Sequence, residues 1–397
     1  MNLAQKILSA LAALAIAATG CTDNTGTGFS DANNSVSEET TMELTQKTFA
    51  AEPQYVKMLG RTHSEEGILW LALSASGVEF TMKGTSASVT LAGDSSVSSE
   101  DNRARFAAYV DGKRVADEMI VEPEQTVEIF ASDEEREVTV RLIKLSEAAQ
   151  STVGIKSINV TSVGDIAPTA EKGLKIEFIG DSITCGYGVD DEDRNHHFAT
   201  STEDATKAYA YKTAQLLDAD YSLVSYSGHG IVSGYTTQGK KVAAQQVPNM
   251  YEQFARSYSS YNGFSVSGVD WDFSKFVPDF IVINLGTNDW SYTGRDETLI
   301  REYIDGYVKF LGKVRKDNPG AHIICALGLM GQDLCEAVET AVSEYAEQSG
   351  DSNVSSFRLT MQDGNKNGYA ADWHPTAASH DIAAAEMAAE IQRIMAE

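Results

Sequence analysis

Glu177-Phe178-Ile179-Gly180-Asp181-Ser182-Ile183-Thr184 decides how the second half of this 397-residue chain is read. A short apolar run ends in Gly-Asp-Ser, with glycines following at 186 and 188. The pattern predicts a buried strand that breaks into a tight turn and lifts the Ser182 hydroxyl at its carboxyl end. In an open parallel sheet, that edge is where sites form. Three later segments extend the reading: Ser227-Gly228-His229-Gly230, Gly286-Thr287-Asn288-Asp289 and Asp372-Trp373-His374-Pro375. Together they offer a hydroxyl nucleophile, backbone amides, a side-chain amide and an imidazole, the parts that acyl transfer requires.

Around these motifs the texture alternates between strand and helix. Strands are expected at Lys175–Gly180, Tyr221–Ser225, Phe280–Leu285, Ile323–Leu327 and Val354–Leu359. Helices are expected at Ala205–Leu217, Met250–Tyr258, Glu297–Lys316, Asp333–Gln348 and from Thr376 to Ala396. Such alternation implies an α/β domain over 173–397, with a parallel sheet covered by helices on both faces. From 46 to 165 the pattern is instead all β. Val78–Met82, Ala87–Leu91, Val127–Phe130 and Val138–Leu142 read as short strands, and Asp111-Gly112 reads as a hairpin turn. An antiparallel sandwich or jelly roll is expected there, with the joint near Pro168.

The chain begins with an export-type segment. Lys6 precedes an apolar stretch from Ile7 to Ala18, too short to span a bilayer as a mature helix. It ends in Ala18-Thr19-Gly20-Cys21, similar to a bacterial lipobox in which Cys21 is lipidated, so residues 1–21 are expected to be a lipoprotein signal. Ordinary cleavage near Ala18 is the alternative. Residues 22–45, rich in Thr, Asn, Ser, Asp and Gly, read as a tether. The expected location is therefore outside the cytoplasm, on a bacterial membrane or cell surface, with the lipid as the only membrane attachment.

Formal net charge is −26. That balance argues against nucleic acid, whose affinity rests on cationic contacts to phosphate. With Cys21 set aside, Cys185, Cys325 and Cys335 form no disulfide framework. No Cys/His spacing suits zinc, and His196-His197 reads as an exposed loop.

Ser182 needs a base to take its proton, and His374 is the candidate. Pro375 suits the first position of a helix, which would put His374 at the N-cap, where the helix dipole disfavours imidazolium. The amides of Ser182 and Gly228 and the side chain of Asn288 are the candidate oxyanion donors. The Gly-x-Ser-x-Gly nucleophile elbow is absent: Ser225 stands where its first glycine should be.

In this order, the four segments resemble the four blocks of the SGNH (GDSL-type) esterase superfamily. The β-rich first half, with Leu69-Trp70 and Val110-Asp111-Gly112, and the stretch Gly180-Asp181-Ser182-Ile183-Thr184-Cys185-Gly186-Tyr187-Gly188 look like carbohydrate esterase family 2. That resemblance implies a flavodoxin-like three-layer fold behind a jelly-roll domain, with no metal or organic cofactor. It also implies removal of acetyl groups from polysaccharides such as xylan and mannan. It makes Ser182 the nucleophile, His374 the base, and Gly228 and Asn288 oxyanion donors. The wider superfamily has an aspartate three residues before the histidine; here that position is Ala371 and the acid is Asp372. The resemblance accordingly implies a histidine held mainly by backbone, with Asp372 as a candidate third member.

Tyr187, Tyr235, Trp290 and Trp373 adjoin the motifs and are candidate faces for sugar rings. Two other readings stay open: a lipase or thioesterase for longer acyl chains, and a glycan-binding surface lipoprotein without activity.

Overall fold

The computed structural model describes residues 43–397. The export segment, Cys21 and nearly all of the tether lie outside the described residues.

Ten strands form one curled antiparallel sheet: β1 (Thr45–Phe49), β2 (Lys57–Leu59), β3 (Thr62–Glu65), β4 (Ile68–Leu71), β5 (Gly77–Gly93), β6 (Arg105–Val110), β7 (Lys113–Met119), β8 (Glu124–Lys144), β9 (Val153–Ser162) and β10 (Ala167–Pro168). The main path runs β3-β4-β9-β5-β8-β6-β7, with β1 on β9 and β2 and β10 on β5. The expected hairpin turn is present. Asp111 and Gly112 both take positive φ (49° and 77°) between β6 and β7, the mirror-image turn whose twist matches paired strands. The expected short strands are longer than their apolar runs. Val78–Met82 and Ala87–Leu91 are one strand, β5, whose pairing shifts register between Gly84 and Ser86. Val127–Phe130 and Val138–Leu142 are likewise both in β8. The exposed, charged middle of β8 carries no core signal, so sequence periodicity breaks there while the backbone ladder continues.

A second sheet is all parallel: β11 (Lys175–Gly180), β12 (Asp220–Ser225), β13 (Phe280–Asn284), β14 (His322–Leu329) and β15 (Val354–Met361), in the order β12-β11-β13-β14-β15. The helices are α1 (Ser182–Cys185), α2 (Tyr209–Leu216), α3 (Thr287–Thr293), α4 (Glu297–Asp317), α5 (Cys335–Ser349), α6 (Gly364–Asn367) and α7 (Ala377–Met395). Strand side chains alternate between two cores. Ile179, Ile281, Ile283 and Ile323 pack with α4 and α5, whereas Phe178, Val282 and Ile324 pack with α2 and α7. This is the three-layer arrangement expected of a sheet buried on both faces. Each fully buried Ile or Phe contributes about 2 kcal/mol of hydrophobic stabilisation. β11 has β12 on one side and β13 on the other, both parallel to it, so the order in which strands are added reverses at β11 and leaves a crevice at its carboxyl end.

Met250–Tyr258 is not a helix but part of a long ordered crossing between β12 and β13. Its carbonyls are already taken: Arg61 Nη1 donates to Tyr251 O at 2.6 Å and to Gln253 O at 2.8 Å. Arg61 is fully buried and pairs with Glu177 of β11. An amphipathic pattern is satisfied here by irregular chain because an arginine from the first domain supplies the donors a helix would have used.

Candidate active site

The crevice at the end of β11 brings three of the motifs out of neighbouring strands. Ser182 follows β11, Gly228 follows β12 and Asn288 opens α3 after β13. Asp181 caps α1 by accepting from Ile183 N at 3.0 Å, a cap type that stabilises a helix start by about 1 kcal/mol. Gly180 permits the turn, because a Cβ there would sit 2.0 Å from Thr184 Oγ1. Ser182 is buried with its hydroxyl directed to the last motif: His374 Nε2 lies 2.8 Å from Ser182 Oγ.

His374 stands before α7 but does not cap it. Thr376 is the N-cap, accepting from Ser379 N. The expectation of an N-cap histidine is corrected: Pro375 and the extended Thr376 intervene, so the helix dipole is not what keeps the imidazole neutral. Burial does, lowering its pKa from 6.5 to about 4. Its other nitrogen, Nδ1, donates to the carbonyl of Ala371 at 3.2 Å. With Nδ1 carrying the proton, Nε2 is the acceptor for the Ser182 hydroxyl.

Asp372 points elsewhere. Its carboxylate accepts from Tyr187 Oη at 2.6 Å and pairs with His197 Nδ1 at 3.1 Å. The cause is local: Asp372 and Trp373 both take left-handed φ (48° and 65°). Such strain in non-glycine residues costs about 1–3 kcal/mol each and persists only where surroundings enforce it. The double bend turns the Ala371 carbonyl toward the imidazole and the Asp372 side chain away. Gly188 lets the α1 loop approach this turn, since a Cβ there would meet Ala371 Cβ at 2.7 Å. The Tyr187 ring stacks on the imidazole, with centroids 4.0 Å apart and planes 23° apart, and also packs against Phe198.

The amides of Ser182 and Gly228 donate to no protein acceptor among the described residues. Gly228 takes φ +74° with open space around its α-carbon, and its carbonyl accepts from Tyr235 N at 2.8 Å. Asn288 is buried, and its Nδ2 donates to His229 O at 2.8 Å and to Asp181 Oδ2 at 3.2 Å. Burial raises Asp181 to about 7. Asp289, beside Asn288, accepts from the amides of Ile231, Val232 and Ser233 at 2.8–3.0 Å and so clamps the loop that carries Gly228.

The aromatic candidates separate. Trp373 is 49 % exposed, with the Arg194 guanidinium 4.1 Å from its ring centroid and Tyr369 beside it. Tyr235 is also exposed. Trp290 is half-buried against the α4/α5 core and lines a small cavity with Leu327 and Met330. Sequence reasoning missed two supports, Asp289 and the Tyr187–imidazole stack. Both residues lie inside the quoted motifs, but neither role carries a spacing signal.

Residues 178–382 match the GDSL-like lipase/acylhydrolase family, and residues 58–169 match the carbohydrate esterase 2 N-terminal domain. The chain is 34% identical over 325 residues to the cellulase/esterase CelE of Acetivibrio thermocellus; the match covers 81% of this chain and 37% of the relative. The chain thus spans just over a third of that protein's length. Its fold is similar to an acetyl xylan esterase from the rumen bacterium Butyrivibrio proteoclasticus, with a TM-score of 0.80 at 25% identity over 89% of this chain and 99% of that one. A family two carbohydrate esterase from Clostridium thermocellum, solved with cellohexaose, matches with a TM-score of 0.73 at 32% identity over 86% of this chain and 99% of that one.

Proposed function

Because this chain belongs to the GDSL-like lipase/acylhydrolase family and carries a carbohydrate esterase 2 N-terminal domain, we propose that it removes acetyl groups from polysaccharides of the xylan or mannan type through an acetyl-Ser182 intermediate. The observation that carries the reading is the Ser182–His374–Ala371 chain of hydrogen bonds. His374 Nε2 takes the Ser182 proton as Oγ attacks the acetyl carbonyl. The resulting oxyanion is met by the free amides of Ser182 and Gly228. Asn288 joins them when its longer bond, to Asp181, yields to the substrate oxygen. The tetrahedral intermediate collapses as His374 returns the proton to the departing sugar oxygen. Water then attacks the acetyl-enzyme, giving its proton to His374, and acetate leaves with Ser182 restored.

Ala371 holds the base, so the machinery is a dyad, and Asp372 acts on the loop around it. Trp373 and Tyr235 present the exposed rings for sugar. Tyr187 serves the imidazole. The name of one structural neighbour, an acetyl xylan esterase, supports the acetyl and xylan reading, and another, solved with cellohexaose, supports a carbohydrate ligand. The N-terminal sequence supports export and lipidation at Cys21. Metabolic labelling with a radioactive fatty acid tests the anchor, since Cys21→Ser should abolish incorporation.

Two substrate series test the activity. Rates on p-nitrophenyl esters should fall from acetyl to octanoyl, and acetylated xylan or glucomannan should release acetate. Rates that rise with chain length would favour a lipase or thioesterase instead. Glycan binding without hydrolysis would favour a binding lipoprotein.

A further inference from the structure

Behind the Gly228 loop lies a buried cluster of titratable groups that the reaction above leaves unused. Glu147, just past the end of β8, Cys185 of α1 and Glu203 are all buried, and each places a side-chain atom within 4.8 Å of the others. Lys144 is fully buried beside them, and its Nζ donates to the carbonyls of Ser146 at 2.7 Å and Glu147 at 2.8 Å. Charges taken out of water persist only when counter-charges and hydrogen bonds compensate them. The bonds made by the two carboxylates lead to the site. Glu203 Oε2 accepts from Glu147 N at 2.8 Å. Glu147 Oε2 accepts from the main-chain amide of Ser227 at 2.7 Å and lies 3.7 Å from Cys185 Sγ.

Ser227 immediately precedes Gly228. The peptide carrying the Gly228 amide is therefore held from two sides. Glu147 fixes the amide before it, and its own carbonyl, Ser227 O, accepts from His229 Nδ1 at 2.8 Å. On the side where a Cβ would stand, Gly228 meets no neighbour within 4 Å, so no side-chain packing there replaces these bonds. Glu147 also touches Cys185, on the turn that carries Ser182. One carboxylate delivered by the β domain thus contacts both pieces of chain that supply backbone donors.

We propose that Glu147 is a positioning residue for hydrolysis, its carboxylate aiming the Gly228 amide from the β domain at the oxygen of the acyl group. The inference rests on the esterase reading above. It assigns the β domain a part in turnover itself. A preorganised donor stabilises charge that develops only in the transition state, so misplacing it lowers kcat and leaves substrate binding nearly unchanged.

The test uses the purified full chain and p-nitrophenyl acetate, with kcat and KM measured separately, well below each variant's Tm, for wild type, Glu147→Ala, Glu147→Gln, Glu147→Asp and Ser182→Ala. Glu147→Ala should lower kcat about tenfold or more with KM within about twofold. Glu147→Gln keeps an acceptor oxygen and should restore roughly half the wild-type kcat or better. Glu147→Asp withdraws the acceptor by one methylene and should lose kcat as the alanine variant does, which carries the test if alanine fails to fold. Wild-type kcat in the alanine or aspartate variant, whatever its Tm, would overturn the proposal, as would a glutamine variant as slow as alanine. Retained turnover by Ser182→Ala would instead overturn the esterase reading, whatever Glu147 does.

Discussion

His374 Nδ1 donates to the main-chain carbonyl of Ala371 at 3.2 Å, while the carboxylate of the intervening Asp372 is engaged by Tyr187 and His197. A carbonyl fixes the imidazole tautomer and orientation as a carboxylate would, but it adds only a partial charge to steady the imidazolium. Asp372→Ala should therefore keep kcat within about tenfold of wild type, whereas His374→Ala should lose about 10³-fold or more. Steady-state assays of the two variants decide it. An aspartate loss as deep as the histidine loss would make Asp372 a true triad member.

The pH dependence follows from burial. The His374 pKa is lowered to about 4, and an imidazole accepts a proton only when neutral. kcat/KM should rise through about pH 4 and stay flat toward neutrality. Asp181, raised to about 7 by burial, accepts from Ile183 N and Asn288 Nδ2, so its ionisation adds negative charge beside the Asn288 donor and any second inflection is expected near neutrality. The linkage sign agrees for His374. Its folded pKa lies below the unfolded value of 6.5, so its contribution to stability is complete above pH 6.5 and is lost as pH falls toward 4. His380, lowered to about 3, acts in the same direction. A kcat/KM profile that halves near pH 6.5 would contradict the buried-imidazole account.

Tyr187 separates stacking from hydrogen bonding. Tyr187→Phe keeps the ring on His374 and loses only the bond to Asp372, so kcat should stay within about threefold. Tyr187→Ala frees the imidazole and leaves a cavity; kcat should fall about tenfold and stability by about 2 kcal/mol. Equal losses in the two variants would shift the role to the hydroxyl.

Trp373 stands exposed one residue before His374. If sugar stacks on it, Trp373→Ala should raise KM for acetylated polysaccharide about fivefold or more and leave KM for p-nitrophenyl acetate near wild type. An equal effect on both substrates would make it a structural residue of the turn.

Much of this was legible in sequence because strand ends and turn residues carry local signals. The apolar run into Gly180-Asp181-Ser182 announced β11 and its turn, and the order of the motifs announced the crevice. Three things were not legible. Met250–Tyr258 has a helical pattern, yet Arg61, nearly two hundred positions earlier, takes its carbonyls. Pro375 suggested a helix start that Thr376 provides instead. The left-handed pair Asp372-Trp373 has no residue type that marks it: the family resemblance already implied a histidine held mainly by backbone, but the double bend that presents the Ala371 carbonyl was visible only in the backbone geometry.

The proposed esterase activity requires Ser182, whose hydroxyl lies 2.8 Å from the His374 imidazole, to carry the acyl group. The most direct measurement is peptide mapping by mass spectrometry of protein acid-quenched during turnover of p-nitrophenyl acetate. The account predicts one added acetyl group on the peptide containing Ser182, absent from Ser182→Ala, whose kcat should fall by about 10⁴-fold or more. Full turnover by Ser182→Ala, or an acetyl group captured on a different residue, would contradict it.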